Sequence, residues 1–470
     1  MIFMTDINVA QLKDQVARFR DLIFEAGERI WNNPETGYKE WETSAYLADI
    51  FTGLGYEVTN FGDIPGFFVD LDTGRSGPTV AVLGEMDALY MPEHPAAHPE
   101  RGTAHACGHH AQCAALVGVA AALSVSGALD GLSGRIRLMA VPAEELIELE
   151  YREGLRKKGI IRYYGGKVEL MHRGYFDSVD IAFMIHTGVF GKFAVRKGSN
   201  GCIVKNILYK GTAAHAGGSP NMGVNALYAA TLGIQAVNAL RETFIDSDHV
   251  RFHPIVTRAG GAVNIIPAEA KLESYLRASS MPAMMQANRN VNLALAASAA
   301  AIGANVEISD SPGYSPLNND PTLNDLAFRA MEAVVGPKHL LYDIEGWSTG
   351  STDMGDVSAV IPSIHPYSSG AVGKAHGSDY AIADPERAYV NSAQVQVVLL
   401  NMLLRDGAAM GKAIKAGFKS PYADIRAYLD YIDTMKFDKE AVTYCEDGSV
   451  RLEFANLNLP RRRQIDSINV

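Results

Sequence analysis

The run TVAVLGEMDAL, beginning at Thr79, limits the fold more than any other stretch. In the strand expected from Thr79 to Leu83 every residue after Thr79 is apolar, so both faces must be covered, as in a central strand between layers of helix. The sequence on either side supplies the cover. Val16, Phe19, Leu22, Ile23 and Ile30 recur at helical spacing and predict an amphipathic helix from Val9 to Trp31, with a second from Glu40 to Leu54. Short β-rich runs follow at Tyr56 to Thr59 and Phe67 to Leu71. Beyond the central strand come a helix from about Gly108 to Leu123, a strand from Arg135 to Val141, a polar helix from Glu145 to about Lys158 and a strand from Asp180 to Ile185. This alternation predicts an α/β domain, and such sheets place their sites beyond the carboxyl ends of the strands.

Near Val195 the character changes. A strand from Ile203 to Tyr209, the segment GTAAHAGGSPNMGVNAL, a helix with Leu227, Ala230, Ile234 and Val237 on one face, a strand from Lys271 to Ala278, an Ala-rich helix from about Pro282 to Ile302 and a strand from Asn305 to Ile308 predict a smaller α+β unit. After SPGYSPLNND the α/β pattern resumes with a helix from about Thr322 to Val335, the loop STGSTDMGD, the strand-like SAVIPSIHPY and a long helix from about Ser392 to Met410. The expected organisation is an α/β domain in two parts, residues 1–195 and 311–470, the second with a C-terminal extension, interrupted by a smaller α+β lid domain at residues 196–310.

With 470 residues, 47% of them hydrophobic, the chain can bury more than one core. A formal net charge of -11 argues against a nucleic-acid partner, and the short basic run Arg461, Arg462, Arg463 reads as a solvated tail. No basic segment followed by an apolar one opens the chain, which predicts a cytoplasmic protein. Ala114 to Leu129 is interrupted by Gly118, Ser124, Ser126 and Gly127 and reads as a buried helix, so no membrane partner is expected. Four scattered cysteines, Cys107, Cys113, Cys202 and Cys445, do not make a disulfide scaffold and are left for packing or metal binding.

Four separated segments carry potential metal ligands at or after the end of a predicted strand: HACGHH at His105–His110, PAEE at Pro142–Glu145, His186 after Ile185, and His376 between Ala375 and Gly377. Thiolate, imidazole and carboxylate together suit Mn, Zn, Co or Ni, one or two per subunit, rather than Mg or Ca. Cys107 and His109 lie two apart, so both can point the same way, with Gly108 permitting a tight backbone between them. Glu144 and Glu145 can divide the work of a hydrolytic site: one ligates, and the other takes a proton from water and returns it to the leaving nitrogen. Cys113, inside the apolar helix, reads as a core residue.

These motifs resemble the M20 metallopeptidase and amidohydrolase family, in the branch with hippurate, indole-acetyl-amino-acid and aminobenzoyl-glutamate hydrolases. The resemblance runs from about Trp31 to about Arg387 and rests on NPETGYKEWETSAYLADIFTGLGYEV, GEMDAL, HACGHHAQ, PAEE, IHTG, AAHAGGSPNMGVNAL, GGAVNIIPAEAKLESYLRA, STDMGDVS and HGSDY. It implies that Cys107 bridges two metals, that His109, Glu145, His186 and His376 are the other ligands, that Glu144 is the general base and that Asp87 orients a ligand. In the lid it implies that His215 stabilises the oxyanion from across a dimer interface, while Asn264 and Arg277 bind the polar end of the substrate. The chain departs from many relatives in having His110 where they have Asp after Cys-Gly-His, and Gly377-Ser378 where they have Ser-Pro after the last His. The charged stretch between Glu145 and Phe176, with Arg152, Lys157, Lys158 and Lys167, resembles the aminobenzoyl-glutamate-like subgroup and reads as a solvated helix at least as readily as a substrate-binding element.

The expected activity is hydrolysis of a C–N bond by metal-activated water, in the amide of an N-acyl or aminobenzoyl amino acid, so the expected partner is a small aromatic or N-acyl carboxylate. A rival reading keeps the site and makes the chain an aminohydrolase that displaces ammonia from an electron-poor amino-aromatic acid such as a substituted anthranilate. A third, a catalytically inactive binding protein, would most simply show a missing base or ligand, and none is missing. A homodimer or larger homo-oligomer through the lid domain is expected.

Overall fold

The computed structural model describes residues 7–453. It divides into two compact units, one comprising the described residues up to Ser199 with Leu317–Ser348 and Thr352–Tyr428, the other Asn200–Pro316, Thr349–Ser351 and the described residues from Leu429. Both expected inner boundaries fall inside strands, Phe193–Ser199 and Asn305–Tyr314, which carry each unit past residues 195 and 310. The C-terminal segment, expected with the catalytic domain, groups instead with the second unit, because Phe437–Glu440 adds a strand to Asn305–Tyr314. The basic run at residues 461–463 lies outside the described residues.

In the first unit, Thr79–Glu85 is buried at every position and sits inside a six-stranded sheet. It pairs in parallel with Arg135–Val141 on one side and Ile181–Phe183 on the other; Ser363–Ile364 continues the parallel run, and Phe67–Asp72 and Thr59–Asn60 close the opposite edge antiparallel. Helix His109–Leu123 packs against the central strand and is buried along its whole length, which is why its sequence shows no polar face. Each large apolar side chain buried there contributes about 1.5–3 kcal/mol relative to exposure. A second sheet is built on Phe193–Ser199, with Leu340–Ser348 parallel to it.

Several elements differ from the sequence expectation. The opening helix is two, Val9–Ala17 and Arg20–Trp31, with the chain turning at Arg18 and Phe19 so that Val16 and Ile23 are both fully buried. SAVIPSIHPY is not one strand. Its first residues end the helix Met354–Val360, and only Ser363–Ile364 and Tyr367–Ser368 pair, because Pro362 and Pro366 cannot donate to a ladder.

The second unit is an antiparallel sheet in the order Arg251–Phe252, Glu269–Ala278, Gly201–Lys210, Asn305–Tyr314, Phe437–Glu440, packed by the helices Ala226–Asn238 and Met281–Ala300. Asn305–Tyr314 runs six residues beyond its expected end at Ile308, through a register shift where a side chain at Gly313 would stand 2.6 Å from the Cys202 carbonyl oxygen. A glycine that reads as loop is here the condition for strand pairing. Among the described residues no helix is long and apolar enough to cross a membrane.

Candidate metal centre

The central strand ends in Glu85, and Asp87 follows two residues later; the neighbouring strand Arg135–Val141 delivers Pro142–Glu145, and Ile181–Phe183 leads to His186. Cys107 and His109 flank Gly108 at the start of helix His109–Leu123. Gly108 has φ +96°, and a side chain on it would run into the Tyr380 hydroxyl, so only glycine fits between the two ligand candidates. His376 comes from the loop between Ala371–Val372 and Ala381–Ile382, itself at φ 60°, with its backbone N–H donated to the Ala106 carbonyl.

These segments converge. Cys107 Sγ is 3.4 Å from His186 Nε2, and His376 Nε2 is 3.0 Å from Glu145 Oε1. Cys107 belongs to two sets of atoms close enough to share a cation, one with His109 and His186, the other with Glu145 and His376. Such a position between two donor sets is what a bridging thiolate needs. Asp87, fully buried, accepts from the Glu145 backbone N–H at 2.7 Å on one oxygen, while its other oxygen lies 3.0 Å from His109 Nδ1. It therefore aligns a ring and a carboxylate-bearing backbone together, and leaves His109 Nε2 facing the cluster.

The PAEE turn is held under strain. Ala143 has φ 59°, outside the usual range for a residue with a side chain, at a cost of about 1–3 kcal/mol that its surroundings must offset. Its N–H donates to Glu40 Oε1 at 2.7 Å, and the Arg152 guanidinium donates to the carbonyls of Tyr164, at 2.7 Å, and of Glu145. Arg152 is 1% exposed and Lys167 fully buried, so the reading of this stretch as a solvated helix holds for neither. Lys157 is exposed, as that reading had it.

Electrostatics separates the two glutamates. Burial pushes the Glu144 carboxyl well above the usual carboxylate range, and the nearby charges of Glu85 and Glu145 push it further. Burial acts on Glu145 too, but His376, together with His109 and Cys107, outweighs it and holds Glu145 at about 2. Burial and Glu145 would raise the Cys107 thiol; His109 and His186 prevail and bring it to about 6, in the thiolate form a metal takes. Glu145 raises His376 to about 11. These shifts describe donors charge-balanced by one another.

The donor set fits a divalent metal on a second count. His109 Nε2 and Glu145 Oε1 are buried without a hydrogen-bond partner, although each has an oppositely charged atom within about a hydrogen bond's reach. Two ligand atoms about 2.1 Å from one cation, at angles between square and tetrahedral, stand roughly 3.0–3.4 Å apart.

The remaining sequence candidates lie elsewhere. His215, Asn264 and Arg277 belong to the second unit. His215 Nδ1 accepts from the N–H groups of Gly217 and Gly218 at 3.2 and 2.9 Å, which leaves the ring proton on the exposed Nε2. The Asn264 carbonyl accepts from Ala216, tying the two loops together. Arg277 reaches Ser351 at 3.4 Å. His105 and His110 are buried against each other, with His110 on Trp31 and Tyr389, and burial holds both neutral; neither joins a ligand set. Sequence reasoning missed Glu85 and Arg152. A carboxylate closing a strand buried on both faces was the available signal for the first, since a buried charge needs partners.

Comparison with known proteins gives a consistent placement. The chain is 30% identical over 383 residues to the Xaa-Arg dipeptidase of Mus musculus, covering 77% of this chain and 81% of that one. It is 32% identical over 287 residues to a component of the p-aminobenzoyl-glutamate hydrolase of Escherichia coli, covering 57% of this chain and about half, 53%, of that one. Among solved structures the fold matches a dinuclear metal binding peptidase from M20 family of Bacillus subtilis, with a TM-score of 0.62 at 21% identity over 83% of this chain and 99% of that one. It also matches an aminobenzoyl-glutamate utilization protein from Klebsiella pneumoniae, with a TM-score of 0.60 at 21% identity over 83% of this chain and 98% of that one. Residues 81–401 match the model of peptidase family M20/M25/M40. The chain belongs to that family and is a metal-dependent hydrolase acting on C–N bonds.

Proposed function

We propose that the chain hydrolyses the amide of an N-acyl or aminobenzoyl amino acid, with Cys107, His109, Glu145, His186 and His376 holding one or two divalent cations. The observation that carries the reading is the convergence of these donors in two sets that share Cys107, with Glu144 beside them, its Oε2 3.9 Å from His109 Nε2; burial raises the Glu144 carboxyl while His376 and His109 lower that of Glu145. Neighbouring groups driven apart in this way divide into proton carrier and fixed anion. A bound divalent cation lowers the pKa of water and polarises the carbonyl. Glu144, in the role of base, takes the proton of the attacking water and gives it to the departing amine. Asp87 keeps His109 and Glu145 in register.

The substrate class draws support from relatives named for aminobenzoyl-glutamate and indole-3-acetyl-aspartic acid, both amides of an acidic amino acid. Arg277 and Asn264 would bind such a carboxylate. His215, with its proton on the exposed Nε2, would donate to the developing oxyanion from a second copy of the chain. A homodimer through the second unit is supported by its exposed apolar residues: Tyr228 and Leu232 one helical turn apart, with Ile255 and Val256 on a strand paired along one edge only.

A screen of N-acyl amino acids, aminobenzoyl-glutamate and amino-aromatic acids with Mn, Zn, Co and Ni, following ammonia and organic products, tests the proposal. Two organic fragments support it. Ammonia without a second fragment would replace it with hydrolytic deamination.

A further inference from the structure

Glu85 is fully buried, and none of the roles above uses it. A carboxylate without access to water needs partners for each oxygen. Oε1 has Lys167 Nζ at 2.5 Å, but that ammonium, also fully buried, is shared with Asp353 at 2.5 Å. One positive charge thus faces two negative ones. Oε2 accepts from Gln112 at 2.8 Å, and its other side stands 3.2 Å from His109 Nε2.

That last contact is close enough for a hydrogen bond and not aligned for one, so His109 Nε2, 1% exposed, has no hydrogen-bond partner. Glu145 Oε1 and His376 Nε2, both proposed ligands, show the same combination at 3.0 Å. Glu144 Oε2 lies 3.9 Å from the same His109 nitrogen, and Glu85, His109 and Glu144 form a third set of atoms close enough to share a cation. Two atoms sharing a cation at about 2.1 Å are separated by roughly the distance seen here.

We propose that Glu85 Oε2 is a further contact of the cation carried by His109, with Lys167 as the residue that positions it. This rests on the metal centre described above. Lys167 turns the carboxylate toward His109 and occupies the oxygen that does not face it. The deficit of positive charge among Lys167, Glu85 and Asp353 is then met by the cation itself.

The test uses metal-free full-length protein titrated with Mn²⁺ or Zn²⁺ alone, and the visible spectrum of the Co²⁺-loaded protein, which reports the donor set. In Glu85→Gln, one binding event should weaken at least tenfold while any other holds, and the cobalt bands should shift. An unchanged cobalt spectrum overturns the contact whatever the affinity, since a merely structural Glu85 would leave the donors alone. If Glu85→Gln does not fold, Glu85→Asp, which keeps a charge for Lys167 but falls short of His109, carries the same two readings. Absence of metal uptake by the wild type would overturn the centre and this contact together.

Discussion

Among the described residues each unit buries one lysine completely, and the two are resolved in opposite ways. In the second unit Lys205 reaches Asn288, Asn292 and Asp310 at 2.7, 2.5 and 2.5 Å, and both asparagines donate back to the other oxygen of Asp310 at 2.8 and 2.7 Å. Charge cancels, and the Lys205 ammonium has three acceptors inside the group. Lys167 in the first unit has two carboxylates and no such closure. Burial lowers the pKa of both ammonium groups. It prevails at Lys205, whereas Asp353 and Glu85 override it at Lys167 and carry that group above the ordinary lysine range. Equal burial therefore means different things. The closed network fastens helix Met281–Ala300 to its sheet, and the open one leaves negative charge beside the proposed metal ligands, where a cation completes it.

The largest expected effect lies where the open network meets the chemistry. Glu144→Gln should retain metal and lose turnover by about 10²–10⁴-fold, because the amide keeps the shape and cannot accept the proton. Metal analysis beside kcat checks it, and near wild-type turnover would give the base to another residue.

The comparison itself is tested by removing each lysine. Lys167→Met leaves Glu85 and Asp353 without their cation, and breaking a buried pair in this way costs about 3–5 kcal/mol. Lys205→Met strands one carboxylate rather than two and leaves Asp310 hydrogen-bonded to two asparagines, so a loss at the lower end of that range, about 3 kcal/mol, is expected. Thermal unfolding with and without Mn²⁺ separates them further: added metal should recover part of the Lys167→Met loss and none of the Lys205→Met loss. Equal losses, both indifferent to metal, would mean that the two networks are alike.

How much of this could be read beforehand follows the same division. Apolar strands and their loop ends were legible, and an apolar run followed by Glu or His pointed to Glu145 and His186, whereas Cys107 and His109 stood out by their spacing around Gly108; the structure brings all four into donor sets that share Cys107. Lys167 and Arg152 were not legible. A lysine in a charged stretch looks the same whether it is solvated or paired, and its partners Glu85 and Asp353 are 82 and 186 residues away. The strand ending at Tyr314 was cut short for a related reason: Pro312 and Gly313 signal a loop, and only the pairing with Gly201–Lys210 makes Gly313 a bulge inside a strand.

The reactive side chain of the second unit should lie outside its closed network, on the exposed loop of His215. His215→Ala is expected to lower kcat by about 10²–10³-fold with metal content unchanged, the usual cost of one oxyanion donor. If the donor comes from a second copy, mixing His215→Ala with Glu144→Gln under conditions of subunit exchange forms sites with neither defect. Activity should reappear. Demonstrated exchange without recovery would confine His215 to its own loop.

The smallest effect concerns cysteines, one in each unit. Cys107 is partly exposed and brought to about 6 by its histidines, so as a ligand it should be shielded by metal and alkylated several times faster after chelation. Cys202 is buried within the second unit's sheet, where no proposed ligand lies, and its slow labelling should ignore chelation. Cys113 gives the control inside the first unit: it packs under the centre, donates to the Glu85 carbonyl at 2.9 Å, and burial pushes its thiol far up. Peptide-resolved labelling compares all three at once. If chelation quickens Cys107 alone, metal is local to the open network; if Cys113 and Cys202 quicken with it, chelation has loosened the fold as a whole, and the protection of Cys107 says nothing of ligation.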